Sequence, residues 1–316
     1  MSSGHDVLTI GRVGVDLYPE QSGVTLDRVE SFSRFLGGTA TNVAVAAARY
    51  GYRSAVITKV GDDPFGTYVR RALEEFSVES RFVSTHPSLR TPIVFCELHP
   101  PDSFPLLFYR EPRAPDMTIT VDDLDLDAIA SARIVWTTGT GLAEEPSRSA
   151  TLAAIRAATG VSIHDLDYRP MFWPDPSAAR EQQQRALAAA TIAIGNLEEC
   201  AVAVGEGTPE EMAERMLALG LEKAIVKRGP EGVSAFTPKG RIDVAPVEVE
   251  VVNGLGAGDA FGGAFCHGLL SGWPLEETLA FANAAGAYVA TQLACADAMP
   301  DEATVRSLLD QQEADR

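Results

Sequence analysis

Paired cysteines, long apolar runs and clusters of basic residues are all missing from this sequence of 316 residues. The four cysteines lie far apart, so neither a disulfide framework nor a zinc knot is predicted. The amino terminus shows no basic segment followed by a long apolar stretch, which argues against a secretion signal and favours the cytoplasm. Residues 278–296 carry no charge until Asp297, but they are rich in alanine and interrupted by polar residues, so we expect a buried helix rather than a membrane span.

Acidic residues outnumber basic ones by 44 to 26, which gives a formal net charge of −18. Nucleic acids and anionic membranes are bound by clustered Lys and Arg, and the basic residues are scattered here, so we expect neither partner. An anionic ligand would have to be held against the overall field of the protein. Individual arginines near a cleft therefore gain importance as candidate binding residues.

Short β-branched segments alternate with segments of helical pattern along most of the chain. The predicted strands are residues 7–11, 54–61, 133–139, 161–167, 191–196 and 223–229. This alternation predicts a mainly parallel sheet covered by helices on both faces, with ligands at the carboxyl ends of the strands. There is no internal repeat and no flexible linker, so a single domain over residues 1–316 is expected.

Two aromatic-rich regions break the alternation, at residues 12–36 and 91–117. They predict a small β-sheet apart from the main one, with the HPPD sequence at 99–102 as a hairpin turn. Such a sheet could act as a lid that excludes water from the strand ends, or it could pair with a second subunit. We expect a homodimer formed through this lid.

The stretch NGLGAGDAF at 253–261 sets one carboxylate, Asp259, in a glycine-rich turn. The Val–Glu alternation before it predicts a strand, and a helix should start near Ala257. Backbone N–H groups of Gly256, Ala257 and Gly258 at a helix N-terminus favour an anion, which the glycines allow to approach closely. A carboxylate would repel a resting phosphate, so we interpret Asp259 as a group that takes a proton from the attacking nucleophile, with simple helix capping as the alternative.

A second glycine-rich stretch, FLGGTATNVAVAAARYG, places Gly38 and Asn42 at the start of another predicted helix. The Asn42 amide can bond a hydroxyl-rich ligand. Asp16, which follows the first strand, is suited to accept hydrogen bonds from paired sugar hydroxyls. Taken alone, a tight turn at Gly38 and a helix cap at Asn42 explain the pattern equally well.

Together these segments resemble the ribokinase-like (PfkB) carbohydrate kinases over essentially the whole chain. The motifs stand in that family's order: Asp16 after the first strand, GG-x-x-x-N-x-A at 37–44, N-x-x-E at 196–199, G-x-x-G at 229–232 and GAGDAF at 256–261. The resemblance implies an α/β fold of three layers, α/β/α, with a small β-sheet lid. It also implies a phosphotransferase that uses ATP and Mg²⁺.

The resemblance further implies a role for each matching residue. Asp259 would deprotonate a sugar hydroxyl, and residues 256–258 would form the anion hole for the transferred phosphoryl group. Asn196 and Glu199 would organise Mg²⁺ and phosphate through water. The residues implied near the nucleotide are Gly229, Gly232 and Asn283.

Two positions near these motifs need separate interpretation. Lys227 precedes the Gly229 turn and could contact nucleotide phosphates, with a solvated strand end as the alternative. The family's usual stretch before GAGD begins with an Asp and a Thr, and the Asp is associated with a monovalent-cation loop. This chain has Asn253 and Gly254 there, so potassium activation is not assumed.

Three short strings resemble the 5-dehydro-2-deoxygluconokinases of inositol catabolism: GRVGVDLYPEQ, FPLLFYRE and DLDYRPMFW.

An acidic sugar entering an acidic protein beside ATP needs fixed cations, and Arg can hold a carboxylate through two parallel hydrogen bonds. The arginines in the lid or at strand ends are Arg12, Arg34, Arg110 and Arg169. Of these, Arg110 and Arg169 are the predicted substrate ligands, with Tyr109 beside them. An ordinary ion pair is the alternative for each, with Asp165 or Asp167 as the expected partner of Arg169.

We therefore predict an ATP- and Mg²⁺-dependent kinase that transfers the γ-phosphate to the terminal hydroxyl of 5-dehydro-2-deoxygluconate. A kinase of 2-keto-3-deoxygluconate, ribose or fructose is the alternative among enzymes. A non-catalytic sugar-sensing protein is the alternative of another class, although the intact Asp259 and the N-x-x-E motif argue against it.

Overall fold

The structure, a computed structural model, describes residues 4–314 as an α/β fold. The strands are β1 (Val7–Ile10), β2 (Gly14–Pro19), β3 (Phe32–Gly37), β4 (Ser54–Gly61), β5 (Val83–His86), β6 (Ile93–Cys96), β7 (Leu106–Tyr109), β8 (Ile134–Thr138), β9 (Val161–Asp165), β10 (Ile192–Asn196), β11 (Lys223–Lys227), β12 (Val233–Thr237) and β13 (Gly240–Val244). The α-helices are α1 (Thr39–Arg49), α2 (Pro64–Glu75), α3 (Leu126–Ser131), α4 (Ser147–Ala157), α5 (Pro176–Leu187), α6 (Leu197–Val204), α7 (Pro209–Ala218), α8 (Ala257–Ser271), α9 (Leu275–Ala290) and α10 (Glu302–Ala314).

The chain forms two compact units, each built from two stretches of sequence. The first unit runs to Gly11 and resumes over Met117–Pro246. The second comprises Arg12–Asp116 and the chain from Val247 onward. Every strand and helix belongs to one unit or the other.

The first unit contains a mainly parallel sheet, as the strand–helix alternation predicts. Its strands lie in the order β13-β12-β11-β10-β9-β8-β1. Strands β1 and β8 to β11 run parallel, and β12 and β13 are antiparallel additions at one edge. Every residue of β1 and β8 is buried, which requires cover on both faces of the sheet. The mostly apolar sequences of these strands, VLTI and IVWTT, fit that cover.

The parallel register brings the carboxyl ends of neighbouring strands together. Thr138 at the end of β8 lies beside Asp165 at the end of β9. Asn196 at the end of β10 lies beside Lys227 at the end of β11. Polar side chains predicted from separate parts of the sequence therefore share one edge of the sheet, where open α/β folds bind ligands.

The second unit combines a parallel strand pair, β4 and β5, with helices and a small separate sheet. Helix α8 packs against α1 closely enough that a Cβ at Gly263 would lie 2.2 Å from the Cβ of Ala46. The small sheet has the order β3-β2-β6-β7. The predicted second sheet is thus present, and β6 and β7 form the expected antiparallel hairpin, with Ile93 opposite Tyr109.

One predicted strand is wrong. The alternating sequence VEVEVV at 247–252 forms no strand, although its residues alternate between partial burial and exposure over 247–250. A period of two marks an extended, half-buried segment, and it becomes a strand only where a neighbouring strand accepts its hydrogen bonds. The backbone N–H of Val252 instead donates to the carbonyl of Ala290 at the end of α9.

The charge-free stretch that begins at Thr278 lies largely in α9, which is mostly buried and ends at Ala290. Among the helices of residues 4–314, none is both long and apolar enough to cross a membrane.

Candidate active site

Helix α8 begins at the predicted residue, and its start is shaped by a glycine. Gly256 adopts a left-handed conformation with φ 82°, and no side chain caps the helix. A Cβ at Gly256 would lie 2.7 Å from the Sγ of Cys295, so a larger residue would have to displace the chain after α9. The sequence predicts the backbone N–H groups of Gly256, Ala257 and Gly258 as donors for a phosphate, and these residues form the N-cap and the start of the first turn of α8.

Asp259 sits in this first turn and is hydrogen-bonded to Asn42. The Nδ2 of Asn42 donates to the Oδ2 of Asp259 over 2.7 Å. Asn42 belongs to α1 and is 3% exposed, whereas Asp259 is half-buried. The Oδ1 of Asn42 is buried and accepts no hydrogen bond from any residue in the described range. A buried acceptor of this kind suits a ligand hydroxyl.

Asp16 lies in β2, and the glycine pair at the end of β3 makes room for it. A Cβ at Gly37 would stand 2.2 Å from the carboxyl carbon of Asp16. Gly38 has φ 107°, and a Cβ there would lie 2.3 Å from the carbonyl oxygen of Arg12. The two glycines therefore have a structural role as well as leaving the backbone accessible to a ligand. They allow β3 to pack closely against Asp16 and against the segment that contains Arg12.

Burial raises the pKa of Asp16 to about 6, although the Arg12 guanidinium acts in the opposite direction. Arg12 is 8% exposed and donates through Nη2 to the Oγ1 of Thr39 over 3.0 Å. The sequence placed Arg12 among four arginines of interest but not among the predicted substrate ligands. In the sequence, Arg12 stands in the string GRVGVDLYPEQ four residues before Asp16, which does not reveal that both side chains are buried together.

The small sheet packs onto the loop that leads into α8. Tyr18, Cys96 and Val94 of that sheet form an apolar cluster with Leu255 and Cys295, among other residues. The hydroxyl of Tyr18 lies 2.8 Å from the Sγ of Cys295. No sequence pattern indicates this contact, because Tyr18 and Cys295 are 277 positions apart and Cys295 belongs to no motif. Its consequence is that the predicted lid segments contact the glycine-rich turn of the same unit.

In the first unit, the N-x-x-E motif forms a reciprocal cap at the start of α6. The Oδ1 of Asn196 accepts the N–H of Glu199 at 2.9 Å, and the Oε2 of Glu199 accepts the N–H of Asn196 at 2.7 Å. This arrangement satisfies two helix donors and fixes both side chains. Glu199 is 8% exposed. Any further role of the two residues therefore uses side chains that are already oriented.

The other predicted nucleotide residues lie at turns or on a helix. Lys227 ends β11 and is half-buried. Gly229 and Gly232 have φ 57° and 84°, conformations that favour glycine. A Cβ at Gly232 would lie 2.1 Å from the carbonyl oxygen of Val244. Asn283 lies in α9 of the second unit and is half-buried.

The predicted substrate arginines have different surroundings. Arg110 is almost buried, and its Nη2 donates to both carboxylate oxygens of Asp116 at 3.1 and 2.9 Å. Arg169 keeps 35% of its side chain exposed, with its Nε 3.1 Å from Asp167 Oδ1. Asp167 is therefore the ion-pair partner expected from the sequence. Tyr109 is 60% exposed, and its ring packs against Phe95 with centroids 5.3 Å apart.

Within the second unit, the structure brings four predicted features together: Asp16, the Gly38 turn, Asn42 and the 256–259 turn. Within the first unit it aligns Asn196 with Lys227 at one sheet edge. A carboxylate held beside a helix N-terminus, with a buried amide and a second carboxylate nearby, can bind hydroxyls and accept a proton from one of them.

Comparison with known proteins identifies the family of this chain. Residues 5–302 match the model of the pfkB family of carbohydrate kinases. The chain belongs to this family. It is therefore a sugar kinase, a phosphotransferase that uses ATP and has the ribokinase-like fold expected from the sequence.

Curated relatives of this pfkB-family kinase carry a more specific name. The 5-dehydro-2-deoxygluconokinase of Photobacterium profundum is 33% identical over 320 residues, covering 98% of this chain and 96% of the relative. The enzyme of the same name from Clostridium perfringens is 31% identical over 313 residues, covering 96% and 92%.

A solved structure is also similar to this kinase. It is a double-mutant fructokinase of Vibrio cholerae O395 with fructose, ADP and potassium bound, with a TM-score of 0.86 and 26% identity. The match covers 98% of this chain and all of that one, 100%. The fold of the family thus extends over nearly the whole chain.

Proposed function

We propose that this pfkB-family kinase phosphorylates the terminal hydroxyl of a keto-deoxy sugar acid, and that 5-dehydro-2-deoxygluconate is its substrate. The hydrogen bond between Asn42 and Asp259 at the start of α8 carries the proposal of sugar phosphorylation. The names of the relatives matched over nearly their full length and the partly exposed side chain of Arg169 support an acidic sugar as the acceptor.

In the proposed reaction, Asp259 accepts the proton of the sugar hydroxyl while that oxygen bonds to the γ-phosphorus. The bond from the γ-phosphorus to the β,γ-bridging oxygen breaks, and ADP leaves with that oxygen. Asn42 binds one carboxylate oxygen and thereby orients Asp259 toward the acceptor. Asp16 accepts hydrogen bonds from other sugar hydroxyls, and the buried Asn42 Oδ1 accepts another. A correctly placed general base contributes about 10²–10⁴-fold to such a rate.

The backbone around Gly38 is proposed to approach the sugar, while residues 256–258 hold the transferred phosphoryl group. Donors aimed at the developing charge stabilise the transition state more than the ground state. Left-handed Gly256 directs the chain into α8 so that the first-turn N–H groups point out of the helix end. Closure of the lid, residues 12–36 and 91–117, would exclude water and limit ATP hydrolysis.

For the nucleotide, we propose contacts from Lys227, Asn283 and the turns at Gly229 and Gly232. Mg²⁺ binds through one or two carboxylates together with phosphates and water, and Glu199 meets that requirement as a fixed, nearly buried carboxylate. Asn196 and Glu199 would hold the ion through water. When bound, Mg²⁺ supplies positive charge that offsets the charge of the phosphates.

Recognition of the acid is assigned to Arg169 and Arg110, with Tyr109 nearby. Arg169 has a partly exposed side chain that pairs with Asp167, which is itself 2% exposed and accepts a hydrogen bond from Thr140 over 3.0 Å. Arg110 is already bonded to the buried Asp116, so a substrate carboxylate would share that guanidinium. Removing Arg110 would leave a buried carboxylate without its ion pair, a change that costs about 3–5 kcal/mol. Both arginines pair with a buried carboxylate, but Asp167 also accepts the hydrogen bond from Thr140, so Arg169 is the cleaner residue to test.

The test is ADP release measured with 5-dehydro-2-deoxygluconate, 2-keto-3-deoxygluconate, ribose and fructose. We expect the first sugar acid to give the highest kcat/KM. Arg169→Ala should lower kcat/KM for the acids about 10–100-fold, the value of one charge-assisted contact, and change the neutral sugars little. Arg71→Ala, at an exposed arginine paired with Glu75, is the matched control and should leave all four values unchanged.

Each alternative function predicts a different pattern. Preference for fructose or ribose, with no selective effect of Arg169→Ala, would contradict acid recognition and favour a neutral-sugar kinase. Preference for 2-keto-3-deoxygluconate would favour that kinase instead. Binding of a sugar, with no ADP release for any of the four substrates, would favour a sensing protein.

We further propose a homodimer formed through the lid. The outer face of its sheet presents Leu107 and Tyr109, 48% and 60% exposed, beside the paired rings of Phe32 and Phe95. Leu107→Glu should shift sedimentation toward the monomer, because a charge would be buried at the contact. Val121→Glu, at another exposed apolar residue, is the control. A wild-type monomer at micromolar concentration would contradict the proposal.

A further inference from the structure

Asn253 ties the loop before α8 to the loop after α9. Its side chain is completely buried, with 0% exposure. The Nδ2 donates to the carbonyl oxygen of Leu293 over 2.7 Å, and the Oδ1 accepts the N–H of Leu255 at 3.0 Å. The backbone N–H of Asn253 also donates to the carbonyl of Ala290 at 3.1 Å. One amide thus connects both loops through a donor on one side and an acceptor on the other.

This tie lies next to the glycine-rich turn. Leu255 precedes Gly256, the left-handed residue at the start of α8. On the other loop, Cys295 follows Leu293 by two residues and lies against Gly256, where a Cβ would approach its Sγ to 2.7 Å. A change in the hydrogen bonds of Asn253 would therefore shift both loops, the one before α8 and the one after α9, around the turn that leads to Asp259.

A carboxylate could not replace this amide without a cation. An ionised Asp at position 253 would direct an oxygen at the Leu293 carbonyl, and two buried acceptors without a donor between them are unfavourable. A monovalent cation placed between them would remove the conflict. The similar fructokinase of Vibrio cholerae was solved with potassium bound. Here the residue is neutral and presents an N–H to the carbonyl, so the donor set does not fit a cation at this point.

We propose that the Asn253 amide replaces a bound monovalent cation in this chain, so that the kinase works without potassium. The amide hydrogen supplies the positive end that a cation would offer to the Leu293 carbonyl. The absence of a carboxylate at position 253 leaves no charge to be balanced. Asn253 acts as a positioning residue, and the inference rests on the proposed role of residues 256–259.

The experiment compares KCl, NaCl and tetramethylammonium chloride at constant ionic strength. For the wild type, we expect ADP-release rates and melting temperatures that agree among the three salts, with rates within about twofold. Asn253→Asp should lose activity about tenfold or more in tetramethylammonium and regain most of it in KCl, because misplacing catalytic groups can cost about 10²-fold. Its melting temperature should also rise selectively with KCl, since a cation that binds the folded state stabilises it.

Asn253→Ala is the control for a purely structural role. It removes both amide bonds without adding a carboxylate, so its lower activity should be the same in all three salts. Activation of the wild type several-fold by KCl would overturn the inference, as would an Asn253→Asp variant with no salt selectivity in rate or melting. If no sugar is phosphorylated in any salt, the proposed function fails, and the melting temperatures alone then decide the inference. Should Asn253→Asp fail to fold, the wild-type comparison decides it.

Discussion

The amide nitrogen of Asn42 and the carboxylate of Asp259 are joined by a hydrogen bond of 2.7 Å, although 217 positions separate them in the sequence. The bond links the first turn of α8 to the start of α1 within the second unit. It gives the carboxylate one defined orientation before any substrate arrives. Orientation of this kind belongs to the proposed mechanism, since a base must point at the hydroxyl whose proton it takes.

Asn42→Ala should therefore lower kcat more than it weakens ATP binding. The loss of one hydrogen bond to a charged group, about 1.5–3 kcal/mol, corresponds to a fall of about 10–100-fold. The KM for the sugar should also rise, because the buried amide oxygen is proposed to bind a hydroxyl. Steady-state kinetics with each substrate varied separately will measure both effects. An unchanged kcat would show that Asp259 does not depend on Asn42.

The two left-handed glycines that bound α8 provide a matched pair. Gly256 and Gly272 have φ 82° and 73°, but a Cβ would meet Cys295 at Gly256 and nothing within 4 Å at Gly272. Both Ala variants should lose about 1–2 kcal/mol of unfolding free energy from the backbone conformation alone. Only Gly256→Ala should also lower kcat, by about 10²-fold, because it moves the phosphate donors. Urea unfolding and ADP release will separate the effects, and equal kcat values would contradict this account.

The pH dependence of sugar binding should report on Asp16. Its pKa is raised to about 6 by burial, and the ionised form is the one proposed to accept the sugar hydroxyls. The KM for the sugar should therefore rise as the pH falls below about 6, approaching tenfold per unit. Asp16→Asn should have a high KM that no longer depends on pH in this range. A wild-type KM that is flat from pH 5 to 7 would be the contrary result.

The raised pKa of Asp16 affects the stability of the fold in the opposite direction: sugar binding favours the ionised carboxylate, whereas folding favours the neutral acid. Burial favours the neutral carboxylic acid, so Asp16 contributes fully to stability at a pH below its ordinary pKa of 3.8. This contribution is lost as the pH rises through the folded-state pKa of about 6. Asp16→Asn should consequently gain stability relative to the wild type above pH 6. Melting curves at pH 5 and pH 8 measure the difference.

Local patterns predicted most of the fold because each strand and helix has its own periodicity. Strand β4 and the start of α8 lie where the sequence placed them, and the hairpin of β6 and β7 forms as expected. The segment 247–252 shows the limit of such patterns. Its alternation matches a strand, but strand formation depends on a partner that no local pattern reveals.

The sequence predicted those site residues that belong to motifs. It did not predict the contacts that depend on packing between distant segments. Asp259, Asn42 and Asp16 stood out beside glycines. The contact of Tyr18 with Cys295 and the burial of Arg12 beside Asp16 arise from packing that no motif indicates. The room that Gly37 makes for the Asp16 carboxylate likewise appears only when β2 and β3 are paired.

The replacement of Asp259 by Asn is the decisive experiment for the proposed catalytic base. The amide keeps the size of the side chain but cannot accept the proton, so kcat for 5-dehydro-2-deoxygluconate should fall by about 10²–10⁴-fold. Calorimetric binding of the sugar and of ATP should stay close to wild type, showing that the site remains intact. An Asp259→Asn enzyme with the wild-type kcat would contradict the assignment of this carboxylate as the catalytic base.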